Sequence, residues 1–244
     1  MDIFIPQEPI IIDLVYANHQ HSENIFKQAL YHPNARLWCD YDLAQILILT
    51  ARNLNRNKGW TLVLKDCLRT QNAQQAMAET KIVQDNPNWL QEPNRMVSPP
   101  GCGAHPRGMA IDVGAFDSQQ DNVDFGTAFD DMSECSFRDY NNFPAKILQN
   151  RQNLEDAFLK SAKIFDLKIL PIPNEWWDFR FPPDITDQYE PLSDEDLPPQ
   201  MRMHSLQNPE QKSNFTDFPP KHFEKLKNAI LTELDSLEIA HGNF

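Results

Sequence analysis

Three short segments of the chain contain side chains that hydrolytic chemistry at a metal ion would use. The first is a glycine-bounded loop that leads into an apolar strand, with His105 on the loop and Asp112 seven residues later inside the strand. A buried carboxylate is costly without a partner, so Asp112 needs either a cation or backbone donors beside it. A metal ion, an arginine and a purely structural role all remain open at this point.

The second segment is the aromatic stretch 174–181, which carries two acids. If it forms a strand, alternation directs Glu175 and Trp177 to one face and Trp176 and Asp178 to the other. A bend or bulge would then be needed to bring both carboxylates to one centre. An aromatic core strand with carboxylates at its edge is the alternative interpretation.

The third segment follows a predicted strand and ends in a charged cluster that contains Asp66 and Arg69. The guanidinium of Arg69 has a rigid fork of donors, which suits a carboxylate or an oxyanion that develops during a reaction. The same side chain could instead pair with Asp66 or with a surface acid.

Hydrophobic periodicity predicts a mixture of helices and strands around these segments. The predicted helices cover about residues 40–55, 71–83 and 146–165, and the predicted strands cover 60–66, 109–113, 167–172 and 175–181. Neither a GxGxxG nor a GxxxxGK[ST] motif is present, which argues against a doubly wound nucleotide-binding fold. The sequence predicts an α+β fold in which helices pack on a small, largely antiparallel sheet.

The last quarter of the chain differs in composition from the rest. Eight of the 19 prolines lie between residues 182 and 220, which predicts an extended, mostly polar connector. An amphipathic helix capped by Thr216 or Asp217 should follow, with its apolar face packed on the rest of the chain or on a partner. That face consists of Phe223, Leu226, Ile230, Leu234 and Leu237. We expect a catalytic domain at 1–184, then a connector and C-terminal helix at 185–244.

Charge and hydropathy exclude several classes of protein. A formal net charge of -13 in 244 residues makes nucleic acids and anionic membrane surfaces poor partners. The longest apolar runs, such as residues 46–49, are far shorter than the roughly 20 residues of a membrane-spanning helix. The N-terminus lacks the basic and apolar regions of a signal peptide, and the four cysteines form no CxxC pair. We therefore expect a cytoplasmic protein with reduced thiols.

In order and spacing, the three segments together resemble the signature of the zinc-dependent D-alanyl-D-alanine dipeptidases of the VanX type. The family patterns are D-x-x-R-P/T, S-x-H-x-x-G-x-A-x-D and E-W-W-H-[FY]. The matching segments are D-C-L-R-T at 66–70, G-A-H-P-R-G-M-A-I-D at 103–112 and E-W-W-D-F at 175–179. Weaker similarities occur at 14–17 and 126–134, so the resemblance covers roughly residues 10–183.

The resemblance implies an enzyme, specifically a metalloprotease that hydrolyses a dipeptide. His105 and Asp112 would be zinc ligands, and Glu175 would be the base that takes a proton from the attacking water. Arg69 would stabilise the tetrahedral oxyanion. The implied cofactor is one zinc ion per chain, and the implied substrate is D-alanyl-D-alanine or a similar small dipeptide derived from cell-wall peptidoglycan.

The sequence departs from the family pattern at two positions. Gly103 stands where the family usually has a serine that helps to hold the substrate, and Asp178 stands where it has the third ligand, a histidine. Asp178 could complete a His–Asp–Asp site, which would favour a harder metal such as manganese. Alternatively, His204 or His222 of the tail replaces the lost histidine, or the site holds no metal. We favour a role for Asp178 as ligand, because this requires the exchange of one ligand only.

Two other functions fit the same residues. One is a catalytically silent relative that binds D-amino-acid peptides or a protein partner. The other is a carboxypeptidase that acts on longer cell-wall peptides with the same chemistry. Stoichiometric metal would separate the enzymes from the silent binder, and product analysis would separate the two hydrolases.

Overall fold

The computed structural model describes residues 1–92, 95–204 and 221–241, with side chains from 223 to 237 in the last range. At its centre lies a five-stranded sheet. Its strands are β1 (Ile10–Ile12), β2 (Thr61–Asp66), β3 (Ala110–Phe116), β4 (Leu170–Pro171) and β5 (Asp178–Arg180). They lie in the order β1-β2-β3-β5-β4, and only β1 and β2 are parallel to each other. The predicted α+β class with a largely antiparallel sheet is confirmed.

Two long helices cover the apolar face of this sheet. The helices of the described residues are α1 (Tyr41–Lys58), α2 (Gln71–Ala78), α3 (Lys81–Asp85), α4 (Ala145–Ile164), α5 (Pro183–Thr186) and α6 (Lys221–His241). α1 packs against both α4 and β2. Phe158 of α4 stacks on Phe179 of β5, with ring centroids 3.9 Å apart. No helix in the described part of the chain is long and apolar enough to cross a membrane.

Local sequence signals account for the position of α1. The Asp40 side chain accepts hydrogen bonds from the backbone N–H groups of Asp42 and Leu43, which satisfies donors that the first turn leaves unpaired. Gly59 ends the helix in the left-handed region at φ +69°, where a side chain would be strained. The aliphatic positions between these two caps are buried, and residues 43–51 are buried on all sides of the helix. The helix is therefore fixed at both ends and along its buried middle.

The register of the three central strands places one aspartate from each strand in a row. Asp112 of β3 lies opposite Asp178 of β5, and the register between β2 and β3 shifts between Leu64 and Asp66. This bulge at Lys65 brings Asp66 opposite Asp112. All three aspartates are buried, on the face of the sheet opposite Phe179 and α4.

Several predicted elements differ in their extent from the structure. The helix predicted over 71–83 is divided into α2 and α3, because Thr80 between them has extended backbone and its hydroxyl donates to Met77 O. The strand predicted over 175–181 begins only at Asp178, and turns precede it. The strand predicted over 167–172 is limited to β4. Strand β1 was not predicted.

The connector is not extended where the structure describes it. Leu192 N–H donates to Pro106 O, and Leu192 O accepts from Gln71 N–H, so the segment lies against the loop before β3 and the start of α2. Met203 is fully buried. The segment also contains two 3₁₀ turns, Asp194–Asp196 and Pro199–Met201, so the part of the predicted connector at 185–204 is not extended throughout, although its composition is polar. The predicted caps at 216 and 217 lie outside the described residues, and the division of the chain at 184 stays a prediction.

The C-terminal helix α6 packs on α1 through the predicted apolar face. Ile230 and Leu234 are 1% and 0% exposed, whereas Leu226 is 38% exposed. Polar contacts border this interface, including one of 2.9 Å from Gln45 Nε2 to Glu233 Oε2. The helix thus covers its apolar face within the same chain.

We expect the Leu234→Ala variant to weaken the packing of α6 by about 2–5 kcal/mol, because the change leaves a cavity at a fully buried position. The amides of α6 should then exchange with solvent at least about tenfold faster, as measured by hydrogen-exchange mass spectrometry. Leu226→Ala on the same helix is the matched control and should change exchange little. Equal effects of the two substitutions would contradict this packing.

Candidate active site

A small pocket of about 410 Å³, its open mouth included, lies beside the row of aspartates. All five site residues predicted from the sequence line this pocket, namely Arg69, His105, Asp112, Glu175 and Asp178. It is also lined by residues to which the sequence analysis assigned no role, among them Tyr16, Ser98, Asp130 and Arg180. Side chains that are far apart in the sequence therefore surround one space.

Two overlapping groups of potential metal ligands meet at Asp112. One consists of Asp66, His105 and Asp112, and the other of Asp112, Glu175 and Asp178. Within each group the ligand atoms lie within 4.8 Å of one another. Because Asp112 is on the central strand of the three, it is the residue that joins both groups.

His105 presents one ring nitrogen to these carboxylates. It lies on a short 3₁₀ turn that ends at Gly108, whose φ of +66° suits glycine. Nδ1 lies 2.7 Å from Cys67 O, which can only accept, so Nδ1 carries a proton. Nε2 lies 3.3 Å from Asp178 Oδ2 and 3.6 Å from Asp112 Oδ1. This orientation, fixed by a backbone carbonyl on the other nitrogen, is typical of a metal-binding histidine.

The electrostatics of the site favour a cation near Nε2. Burial and Arg69 lower the pKa of His105, but Asp112 and Asp178 outweigh them and raise it to about 10. Asp112 Oδ1 is buried and has no hydrogen-bond partner among the described residues. A carboxylate oxygen in this condition needs a positive charge beside it. A proton on His105 supplies one, and a metal ion would supply a stronger one.

The donor set fits a divalent metal. Asp66, Asp112, Asp130, Glu175 and Asp178 provide five carboxyl groups in and behind the pocket, against the guanidinium groups of Arg69 and Arg180. One imidazole nitrogen with carboxylate oxygens suits zinc, and a larger share of carboxylates moves the preference towards manganese. The five acids outnumber the two guanidinium groups by three, so the pocket favours a bound cation.

Asp178 differs from the other acids because it is already paired. Arg180 Nε donates to Asp178 Oδ1 at 2.8 Å, and its Nη2 donates to Oδ2. Burial alone would raise the pKa of Asp178, but Arg180 and the hydrogen bond with His105 hold it well below its ordinary value. Asp178 is thus an anion that contacts both Arg180 and His105, and a metal that it coordinates would be a third cation beside it.

Glu175 has the opposite electrostatic character. It lies in the turn before β5, and this turn is the bend that the sequence analysis required for both acids to face one centre. Burial, followed by the negative charge of Asp178, raises the pKa of Glu175 to about 8. A carboxyl group with such a pKa can gain and lose a proton near neutral pH, as general acid–base chemistry requires.

Arg69 both pairs with Asp66 and faces the pocket. Its Nε donates to Asp66 Oδ2 at 2.8 Å, while its Nη2 is 3.5 Å from Asp112 Oδ2. The Tyr31 hydroxyl donates to the other oxygen of Asp66, which fixes that carboxylate in turn. The two sequence interpretations of Arg69 are therefore compatible, because Asp66 orients the guanidinium towards the pocket.

One acid of the pocket was missed by the sequence analysis. Asp130 accepts a hydrogen bond from the Tyr16 hydroxyl at 2.6 Å, and burial raises its pKa to about 7. No Lys, Arg or His of the described residues forms an ion pair with Asp130. The only sequence signal for this pair was the weak similarity at 14–17 and 126–134, which gave neither residue a role.

The tail histidines do not reach this centre in the part of the chain that the structure describes. His204 Nδ1 lies 2.6 Å from Leu30 O, and its backbone N–H donates to Asp194. His204 is not among the residues that line the pocket. The side chain of His222 lies outside the described residues.

Comparisons with known proteins agree with the segments identified above. The Peptidase_M15 family, described as D-ala-D-ala dipeptidase, matches residues 8–194. The curated D-alanyl-D-alanine dipeptidase of Escherichia coli (strain K12) is 26% identical over 194 residues, which cover 78% of this chain and 90% of that protein. The family match includes every strand of the sheet and every residue of the pocket, and it ends before α6. The chain therefore belongs to the D-Ala-D-Ala dipeptidase family of peptidases.

Proposed function

We propose that the protein hydrolyses D-alanyl-D-alanine, or a similar small D-amino-acid dipeptide derived from peptidoglycan, in a metal-dependent reaction in the cytoplasm. The observation that supports this most strongly is the convergence of His105, Asp112, Glu175 and Asp178 on one small pocket. These side chains combine a histidine nitrogen, buried carboxylates and an acid whose pKa is near neutral pH. Metal-dependent hydrolysis of an amide uses metal ligands and a proton carrier of this kind.

His105 and Asp112, with Asp178, are the residues that would hold the metal, which we propose to be one zinc ion per chain. When bound, the metal would increase the acidity of the attacking water and polarise the scissile carbonyl. The hydrogen bond from His105 Nδ1 to Cys67 O keeps Nε2 directed at the two aspartates. Manganese is the alternative that the carboxylate-rich set of donors favours.

Glu175 would act as the proton carrier of the reaction. Its carboxylate would take a proton from the attacking water and deliver it to the nitrogen of the leaving amine as the amide bond breaks. The raised pKa of Glu175 favours both halves of this transfer. The carboxylate is basic enough to take a proton from water, and the protonated acid can still give that proton to the leaving nitrogen. Arg69, oriented by Asp66, would stabilise the negative charge that develops on the carbonyl oxygen.

The polarity of the pocket supports a small peptide with a free amino group as the substrate. Asp130 is a buried carboxylate whose one hydrogen-bond partner among the described residues is the neutral Tyr16 hydroxyl, so it can pair with an ammonium group. The pocket reaches about 410 Å³ only when its open mouth is counted, so it can admit a short peptide but not a folded protein. We therefore propose a dipeptidase rather than a carboxypeptidase that acts on longer peptides.

Binding without hydrolysis is the second candidate function, and one observation favours it. Arg180 donates two hydrogen bonds to Asp178, so the pocket already contains a cation next to the proposed third ligand. If this guanidinium takes the place of a metal, the pocket would bind a peptide but lack the means to activate water. Metal content and turnover separate the two functions.

We expect Glu175→Gln to reduce kcat for D-Ala-D-Ala by about 10²–10⁴-fold, because the amide cannot carry the proton. Metal content should remain close to that of the wild type, since the proposed ligands are intact. Glu134→Gln, at an exposed position outside the pocket, is the control for the loss of one negative charge. Wild-type turnover in the Glu175→Gln variant would exclude Glu175 as the proton carrier.

A second prediction concerns the metal ligands themselves. The wild-type protein should contain about one metal ion per chain by plasma mass spectrometry, and His105→Ala and Asp112→Asn should each lose most of it, because an isolated ligand pair binds weakly. His204→Ala should retain the metal, since the His204 ring is held by Leu30 O. Loss of metal in the His204 variant alone would overturn this assignment.

A further inference from the structure

One edge of the Arg180 guanidinium group has no partner among the described residues. It lies two residues after Asp178 on β5, so both side chains are on the same face of the strand and both line the pocket. Nε and Nη2 are engaged by Asp178. Nη1 has no hydrogen-bond acceptor among the described residues, and the side chain is 20% exposed. The ion pair with Asp178 therefore fixes the group while it leaves Nη1 available to a ligand.

Gly103 lies on the loop next to Nη1 of Arg180. A β-carbon added at this glycine would lie 3.8 Å from Arg180 Nη1 and 3.6 Å from Ser98 Oγ. The φ of Gly103 is +81°, so a residue with a side chain would be strained there. Arg107 Nη1 donates to Gly103 O at 2.8 Å, which keeps the loop in this conformation. Two donors on the pocket wall, from Arg180 and Ser98, thus lie close to each other beside a residue that has no side chain.

These donors suit a carboxylate. An arginine held on one edge by a buried acid presents its remaining N–H groups in a fixed direction, and arginine pairs with carboxylates through charge-assisted hydrogen bonds. The other arginine of the pocket, Arg69, is less available for this task. It is engaged by Asp66 and approaches Asp112. Arg180 is therefore the cation of the pocket that is best placed to receive an anion from outside.

We propose that Arg180 Nη1, assisted by the Ser98 hydroxyl, binds the C-terminal carboxylate of the substrate beside Gly103. This inference rests on the proposed function and specifies its substrate. Asp130 on another wall of the pocket pairs with the amino group, so the pocket recognises both ends of a zwitterionic dipeptide. Peptides whose C-terminus is blocked, or continues into a longer chain, are consequently poor substrates.

The test compares D-Ala-D-Ala with its C-terminal amide at saturating metal. The wild-type protein should prefer the free acid by at least about tenfold in kcat/KM, because the amide loses a charge-assisted hydrogen bond. Arg180→Gln should reduce this preference to about one. Arg56→Gln, an exposed arginine on α1, removes the same charge outside the pocket and should keep the preference. Should Arg180 serve only to hold Asp178, both substrates would be slowed equally and the ratio would persist, which overturns the proposal.

Two further measurements keep the test decisive if Arg180→Gln misfolds or the wild type does not hydrolyse either peptide. Ser98→Ala removes the second donor without disturbing the Arg180–Asp178 pair, and it should lower the preference for the free acid several-fold. Calorimetric titration of the wild-type protein with each peptide reports binding independently of turnover. Tighter binding of the acid without turnover would support the carboxylate site and refute the proposed hydrolysis. Equal binding of acid and amide would overturn the carboxylate site itself.

Discussion

The burial of three aspartates in a row across β2, β3 and β5 is the constraint on which the rest of this structure depends. A carboxylate removed from water needs a positive charge or several donors, and here neighbouring strands place the carboxylates side by side. Arg69 with Tyr31 compensates Asp66, and Arg180 compensates Asp178. The central member of the row is left with an oxygen that no described residue satisfies.

The surrounding elements are arranged so that this row faces a pocket rather than the core. α1 and α4 cover the apolar side of the sheet, and the bulge at Lys65 brings Asp66 into line with the other two aspartates. The loop before β3 adds His105, and the turn before β5 adds Glu175. The connector takes part as well, because Tyr189 O accepts a hydrogen bond from Arg107, the residue that holds the loop at Gly103. The site therefore depends on segments from most of the chain.

The sequence predicts well those features that local pattern determines. Hydrophobic periodicity predicts the helix over 40–55 that corresponds to α1, and the order of three motifs identifies the residues that meet in the pocket. It does not predict the bulge at Lys65, the pairing of Arg180 with Asp178 or the bond between Tyr16 and Asp130, because each depends on contacts between segments that fold together. The packing of the connector is not predicted for the same reason. Its composition is polar, but Met203 is buried against a surface that only the folded chain forms.

The most direct test of the central claim is the position of a bound metal, determined by anomalous diffraction from crystals of the full chain grown with zinc or manganese. We predict a single strong peak in the pocket, within coordination distance of His105, Asp112 and Asp178. Another group of potential ligands, Asp13, His21 and Glu23, is the internal comparison, since the ammonium of Lys65 already contacts its acids. A peak at that group alone, or an empty pocket with Asp178 still paired to Arg180, would contradict the account.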